Sequence, residues 1–179
     1  MNVYHFNIIA LILIVIVSKI IFEPKKTDDI PSPVNIDGYA ENIIIKKYTN
    51  QGLLKITIKA NLLLHYPKQN KSVLSSPFIT LHQANTTPWT ISANKGESLD
   101  GIRQINLVDN VLIHQSASGK EITIKTAALT YFTKTNKIYT KKLITLTRLN
   151  YSVTSIGLNA DLNKNKFILN KTYGVYNKI

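Results

Sequence analysis

The chain has 179 residues, with 22 lysines and arginines against 10 aspartates and glutamates, which gives a formal net charge of +12 at pH 7. This length accommodates one domain and a short appendage. Because there is no cysteine, disulfides, thiolate nucleophiles and cysteine-based metal sites are excluded. The positive charge is spread as single lysines and pairs, and only Arg103 and Arg148 are arginines. That pattern indicates anionic partners and argues against sequence-specific nucleic-acid binding, which relies on arginine forks.

An apolar segment runs from Tyr4 to Phe22, and Ile8 to Val17 contains no polar residue. As a helix it would span about 28 Å, enough to cross the hydrocarbon core of a bilayer. A cleaved signal peptide is the alternative, but it requires a basic start and a small-x-small cleavage site, and neither is present. We therefore predict a transmembrane anchor over residues 1–23. A linker follows over residues 24–38, where Pro31-Ser32-Pro33 favours an extended chain.

Flanking charge gives a conflicting indication of membrane orientation. Lys25 and Lys26 follow the anchor, whereas only His5 and the α-amino group precede it. By the positive-inside rule, this flank would leave the large domain in the cytoplasm.

Over residues 39–179, apolar and polar residues alternate with a period of two in short runs. This pattern predicts one all-β domain. A first strand is predicted from Tyr39 to Tyr48, and Asp109-Asn110 predicts a bulge or turn within a later strand. Residues 94–103 have no apolar run and are predicted to be a link. Phe167 to Leu169 and Tyr173 to Tyr176 are predicted as two separate final strands. No sustained helical period occurs beyond residue 22.

A period of about 33 residues recurs through the domain. Fixed periods in this range are typical of stacked supersecondary units that bury their apolar faces against one another. Three sets of positions carry it: Ala60, Ala93 and Thr126; Val73, Ile105 and Ile138; and Phe78, Val111 and Ile144.

The residues that carry enzymatic or metal chemistry form no recognisable motif. The carboxylates are scattered, so we predict neither an enzyme nor a cofactor site. His82 and His114 lie 32 residues apart at matching points of the repeat. A metal site would require the two imidazoles to converge with a carboxylate, and no metal site is predicted.

Alternation directs one set of apolar side chains toward a common interior. Two interpretations are open at this point: a packed sandwich core, or a trough between splayed sheets that admits acyl chains. The candidate lining residues are Leu54, Ile56, Ile58, Trp89, Ile91, Leu107, Ile113, Ile124 and Ile144.

The order of several short motifs after the anchor resembles a known family. They are Gly52-x5-Ile58-x-Ala60, Trp89-x-Ile91-x-Ala93, Ile105-x-Leu107-x2-Asn110-Val111 and Gly157-Leu158-x-Ala160-Asp161. In this order the chain resembles the LptC family, the bitopic component of the lipopolysaccharide export machine of Gram-negative bacteria.

The resemblance implies an OstA-like or LptA-like twisted β-jellyroll of antiparallel strands, in the periplasm and tethered to the inner membrane by a single-pass helix. It implies that the domain receives lipopolysaccharide from the inner-membrane LptBFG ABC transporter and passes it to periplasmic LptA. ATP is hydrolysed by the transporter, so no nucleotide site is implied here. The orientation implied by the resemblance is opposite to that of the Lys25-Lys26 flank, and we follow the resemblance.

On this interpretation the nine apolar residues above bind lipid, and the two end strands bind partner proteins. The alternative is a membrane-anchored β-sandwich scaffold that binds proteins but no lipid. The predicted partner-interface residues are Tyr39, Ile43 and Ile45 in the first strand, and Phe167, Leu169, Tyr173 and Tyr176 at the other end.

Overall fold

A computed structural model describes residues 36–83, 86–117, 120–149 and 151–176. These residues form antiparallel β-strands and one 3-10 turn, Pro67–Gln69. No helix in this part of the chain is both long and apolar enough to span a membrane. The predicted anchor at residues 1–23 and the linker up to residue 35 lie outside the described residues.

The strands follow one another with short connections, and the first strand begins within one residue of its predicted start. Turns occupy residues 133–136 and 162–165. The strands are β1 (Gly38–Tyr48), β2 (Leu54–Tyr66), β3 (Lys71–Ser75), β4 (Phe78–Leu81), β5 (Trp89–Ser92), β6 (Lys95–Leu99), β7 (Gln104–Ala117), β8 (Lys120–Phe132), β9 (Lys137–Arg148), β10 (Tyr151–Asp161) and β11 (Lys166–Tyr176).

The strands are stacked in chain order. On one side β2 pairs with β1, and on the other it pairs first with β4 and then with β3. β4 pairs with β5 and β3 pairs with β6, while β5 and β6 both pair with β7. The pairs β3/β4 and β5/β6 therefore each act as one interrupted strand. From β7 to β11 every strand pairs with the next.

Several of the strands are broken near their middle, and these breaks lie side by side. Ser76, Asp109 and Gly157 have positive φ values of 49°, 65° and 94°. The register of β7 against β8 shifts between Val108 and Val111, which confirms the predicted bulge at Asp109-Asn110. Amide-to-carbonyl hydrogen bonds from Ser76 to Asn94 (2.8 Å) and from Asn94 to Asp109 (2.9 Å) connect neighbouring breaks. We call this aligned column of breaks the bend.

At the bend the sheet folds over on itself into two layers. Trp89 of β5 and Phe167 of β11 are five strands apart in the stack, a distance of roughly 24 Å in a flat sheet. Their ring centroids are nevertheless only 5.7 Å apart. The first layer contains residues 54–60, 78–81, 89–92, 111–116, 121–126, 143–148 and 151–156, and the second contains residues 62–66, 71–75, 95–99, 104–108, 128–132, 137–140, 158–161 and 166–169.

The 33-residue period corresponds to two successive strands of this stack. Ala60, Ala93 and Thr126 lie where every second strand reaches the bend. In the first repeat, however, the buried residues lie one position after the repeat positions Val73 and Phe78. Leu74 and Ile79 are buried there, whereas Phe78 is 44% exposed. A shift of one residue exchanges the two faces of a strand, so Phe78 faces outward although its repeat partners Val111 and Ile144 are buried.

The link predicted at residues 94–103 is wrong, because it contains β6. The inward positions of β6 are Gly96 and Ser98, so the strand has no apolar alternation to reveal it. A Cβ on Gly96 would lie 3.1 Å from Leu107 Cδ2 and 3.2 Å from Pro77 Cγ. Glycine is required because larger neighbours fill the space that its side chain would occupy.

The prediction of two separate final strands is also wrong, since β11 is continuous. The polar run Asn170-Lys171-Thr172 interrupts the apolar pattern, but these side chains are exposed. The backbone pairs with β10 on both sides of the run, with Leu169 opposite Leu158 and Lys171 opposite Ile156. A strand at the edge of a sheet keeps its ladder without an apolar face along its full length.

Gly157 supplies a stability prediction at the bend. Its φ is +94°, and a Cβ would lie 2.5 Å from Asn170 Nδ2. Gly52 has a similar φ of +80° with no atom within 4 Å of the same position. Gly52→Ala should therefore lose about 1 kcal/mol of stability, because a positive φ is unfavourable for alanine. Gly157→Ala should lose somewhat more, about 1.5–2 kcal/mol in total, because the exposed Asn170 side chain must also turn away. Urea unfolding measures both.

Asn170→Ala in the Gly157→Ala background should recover the difference between the two glycine variants, because it removes the contacting amide. Equal losses for Gly52→Ala and Gly157→Ala would contradict a steric role for Asn170.

Candidate functional site

A continuous row of apolar side chains crosses the first layer along the stack. Residues directly opposite each other on neighbouring strands share a face, and the register places one apolar residue of each strand in line. Eight strands spaced about 4.8 Å apart make the row roughly 34 Å long. Its members are Ile45, Ile58, Ile79, Ile91, Ile113, Ile124, Leu146 and Val153. We call this set the interior row.

The structure brings most of the sequence-predicted lining residues into one buried cluster. Ile58, Ile91, Ile113 and Ile124 belong to the interior row. Ile56 and Trp89 flank it in a second row through Leu81, and Ile144 lies in a third row beside Thr126. Leu107 faces them from the second layer. Leu54 is the exception, since it is only half-buried at the start of β2.

The interior of the isolated chain is filled by its own side chains. Ile58, Ile91 and Ile124 are 0% exposed, while their neighbours Lys59 and Lys125 are exposed and Ser92 is half-buried. The alternation of inward and outward residues is therefore as predicted. An acyl chain could reach the interior row only if the two layers separated.

Away from the bend, the two layers are joined by hydrogen bonds between strand ends of the first layer and turns of the second. Lys55 Nζ donates to the Lys134 carbonyl at 3.3 Å, and Gln83 Nε2 donates to the Leu162 carbonyl at 3.0 Å. Trp89 Nε1 donates to Asn165 Oδ1 at 3.2 Å. We call these three contacts the seam. They form the lateral closure of the interior.

A buried polar network supports the turns of the seam. The Tyr131 hydroxyl donates to Asn136 Oδ1 at 2.9 Å, and Asn136 Nδ2 donates to Asn163 Oδ1 at 2.7 Å. Asn163 Nδ2 in turn donates to the Thr135 carbonyl at 3.1 Å. Each polar group that the turns carry inward thus has a partner, as buried polar groups require.

Sequence reasoning did not identify the seam or its supporting network. Asparagines in the two turns are ordinary turn residues, and the seam contacts connect positions 76–79 residues apart. No local pattern could have found these pairs. The inward placement of Trp89 was predicted, but its hydrogen-bond partner was not.

Both ends of the stack leave a strand edge unpaired within the described residues. There β1 pairs only with β2, and β11 pairs only with β10. Each edge strand is 11 residues long. Of the predicted interface residues, Tyr39 and Tyr173 are 63% and 74% exposed, Ile43, Ile45, Phe167 and Leu169 pack partly against the core, and the side chain of Tyr176 lies outside the described residues.

The two repeat-related histidines lie apart and bind threonines. His82 Nε2 is 3.1 Å from Thr57 Oγ1, and His114 Nδ1 is 3.2 Å from Thr123 Oγ1. His114 Nδ1 also lies 3.6 Å from a carboxylate oxygen of Glu121. Among the residues with described side chains, no group of three or more possible metal ligands is present.

Comparison with known proteins defines the class of this fold and then its family. The fold is similar to the crystal structure of LptH from Pseudomonas aeruginosa, described as the LptA-homologous periplasmic component of the conserved lipopolysaccharide transport device. The TM-score is 0.55 at 10% sequence identity, and the match covers 69% of this chain and 95% of that chain. The two-layered stack is therefore an LptA-like antiparallel β fold.

A family model for LptC-related lipopolysaccharide-assembly proteins matches residues 7–177. A search of curated protein sequences finds no match. The chain belongs to the LptC family of lipopolysaccharide-assembly proteins, which confirms the family predicted from the ordered motifs. It is a component of lipopolysaccharide transport and not an enzyme.

The buried Tyr131 gives the domain a predictable response to alkaline pH. Burial raises the pKa of its hydroxyl above the ordinary value of 10. Above pH 10 the unfolded chain releases this proton and the folded chain keeps it, so the stabilising contribution is complete below pH 10 and falls as pH rises. Relative to Tyr131→Phe, the original chain should lose about 1.4 kcal/mol more per pH unit above 10.

Urea unfolding at pH values from 9 to 11.5 measures this slope. Tyr173→Phe is the matched control, because it removes a largely exposed hydroxyl and should run parallel to the original chain. A Tyr131→Phe slope equal to that of Tyr173→Phe would contradict the role of burial.

Proposed function

We propose that the domain conducts the acyl chains of lipopolysaccharide along the interior row, from a donor protein at β1 to an acceptor protein at β11. The observation that supports this proposal is that the interior row is continuous. The row begins in one edge strand and reaches the strand beside the other without a polar interruption. Each buried methylene of an acyl chain contributes roughly 0.8 kcal/mol, so a path of this length would hold lipid strongly while allowing stepwise movement.

The proposed location follows from family membership. Residues 1–23 would anchor the chain in the inner membrane as a single-pass helix, residues 24–38 would form the linker, and residues 39–179 would form the periplasmic domain. The donor would be the LptBFG transporter and the acceptor an LptA-like bridge protein, as the similarity to LptH supports. Activity of an alkaline phosphatase fused after Ile179 tests the periplasmic location.

A second candidate function is favoured by the packed interior. Because six of the eight interior-row side chains are buried in the isolated chain and the other two, Ile45 and Val153, are half-buried, the domain could act as an anchored scaffold that pairs with proteins at both edges and never admits lipid. The two functions differ in whether the layers separate during transport.

Photocrosslinking decides between these functions. A photoreactive side chain at Ile58, Ile91 or Ile124 should form an ATP-dependent adduct with lipopolysaccharide, because these positions face the interior. Their neighbours Lys59, Ser92 and Lys125 should form little or none. Ile124 and Lys125 give the clearest comparison, because they are adjacent in the chain. Ile124 is 0% exposed, whereas Lys125 is exposed.

Circular dichroism must first show that each variant is folded, since the interior positions tolerate little added volume. Adducts from both members of each pair at similar yield, or from neither, would support the scaffold function.

The two edge strands should bind different partners. An unpaired strand edge extends a ladder into a neighbouring sheet, and its backbone groups supply the affinity. Deletion of residues 171–179 removes the first-layer half of β11 and leaves β1 intact. It should abolish co-purification with the bridge protein and retain co-purification with the transporter.

Retained capture of the bridge protein by a folded deletion variant would count against β11 as the acceptor edge. Loss of both partners would count against the division of roles between the edges.

A further inference from the structure

A polar cavity of about 400 Å³ lies beside the seam. On the side of the first layer it is lined by Lys55 at the start of β2 and by His82 and Gln83 just after β4. On the side of the second layer it is lined by Asn136 and Asn163, which belong to the two turns. The cavity is therefore built from both layers at the point where they meet.

The lining carries positive charge and no carboxylate. Lys55 contributes a fixed charge, and its ammonium makes one hydrogen bond, to the Lys134 carbonyl. Within the described part of the chain, no carboxylate oxygen lies within 4.0 Å of Lys55 Nζ, in contrast to Lys71, whose Nζ is 3.2 Å from Glu97. An ammonium has three protons to donate, so Lys55 retains donor capacity toward the cavity.

The neutral groups of the lining are amides and hydroxyls. Both Gln83 Nε2 protons already have acceptors, the Leu162 carbonyl and Asn163 Oδ1, whereas the hydrogen bonds among the described residues leave Asn136 and Asn163 one amide proton each. Asn136 is buried, and its amide is held by Tyr131 and Asn163. The hydroxyl groups of Thr49 and Thr86 complete the rim, and Thr86 Oγ1 donates to Gln83 Oε1 at 3.1 Å. A lysine point charge combined with amides and hydroxyls suits a phosphate monoester or a phosphorylated sugar.

We propose that this cavity binds a phosphate monoester, and that in transport the ligand is a phosphorylated lipid headgroup whose acyl chains pass between the layers at the seam. The lipid part rests on the proposed function, whereas binding of phosphate itself does not.

The cavity and the seam share two residues, which couples ligand binding to closure of the interior. Lys55 and Gln83 both line the cavity and hold the layers together. A bound phosphate draws the Lys55 ammonium away from the Lys134 carbonyl, because the phosphate carries a full negative charge and the carbonyl only a partial one. Headgroup binding therefore weakens the seam where the acyl chains must enter.

Titration of the full-length protein with inorganic phosphate, in maltoside micelles at constant ionic strength, tests the site without any lipid. The histidine ring signals are followed by NMR and assigned by single substitutions. The His82 signal should shift saturably, while the repeat-related His114 should not shift in step with it. K55M, which keeps the aliphatic stem, should weaken binding about tenfold or more.

K59M is the matched control, because Lys59 lies on the same strand, is exposed and is outside the cavity lining. It should bind phosphate like the original chain. An absent or non-saturating His82 shift, or an equal loss in K55M and K59M, would overturn the site.

A second titration with dodecyl phosphate in the same micelles distinguishes the two sources of phosphate. Binding much tighter than that of inorganic phosphate, and weakened by K55M, supports a lipid headgroup. Equal affinities support the site but assign it to free phosphate, which overturns the lipid part. Failure of the interior crosslinks with an intact His82 response would reject lipid conduction and leave the phosphate site standing.

Discussion

The backbone ladder that runs from β1 to β11 is the constraint on which the rest of the molecule depends. Because every strand pairs antiparallel with its neighbour in the stack, the register of one strand determines which side chains of the next face inward. The interior row exists only because this register is kept across eight strands. Where the ladder must bend, positive-φ residues such as Asp109 and Gly157 absorb the change without ending it.

The sequence predicted the features of the fold that depend on neighbouring residues. It did not predict those that depend on residues far apart in the chain. The alternation of apolar and polar residues at Ile56 and Ile58, and at Trp89 and Ile91, directly indicates which face of the strand is buried. The bulge at Asp109-Asn110 was predicted because both residue types favour turns. β6 was missed because small inward residues are demanded by Leu107 and Pro77, which lie elsewhere in the chain. The repeat interval did not reveal the one-residue displacement in the first repeat, because Val73 and Phe78 are apolar like the residues that they match in the other repeats.

The same difference between local and long-range information applies to the candidate site. Eight of the nine predicted lining residues reach the buried cluster, since alternation alone placed them. The seam is invisible in the sequence because it is made by turns that meet strand ends far along the chain. Single lysines scattered through a basic chain gave no reason to prefer Lys55 over Lys59. Only the fold separates them, by placing one beside the opposite layer and leaving the other in solvent.

A packed interior and a transport path are compatible if the layers are joined unequally on their two sides. At the bend, the layers are connected by the covalent chain and by a continuous ladder. Among the described residues at the seam, they are connected by its three hydrogen bonds and by a longer one from Gln83 Nε2 to Asn163 Oδ1 at 3.4 Å, each worth about 1 kcal/mol net, together with one aromatic contact. Separation at the seam therefore breaks few contacts and no strand pairing. The apolar surface that it exposes is the larger cost, and an incoming acyl chain that covers the same surface offsets it. On the proposed function, the ladder that holds the core together would also guide lipid from one edge to the other.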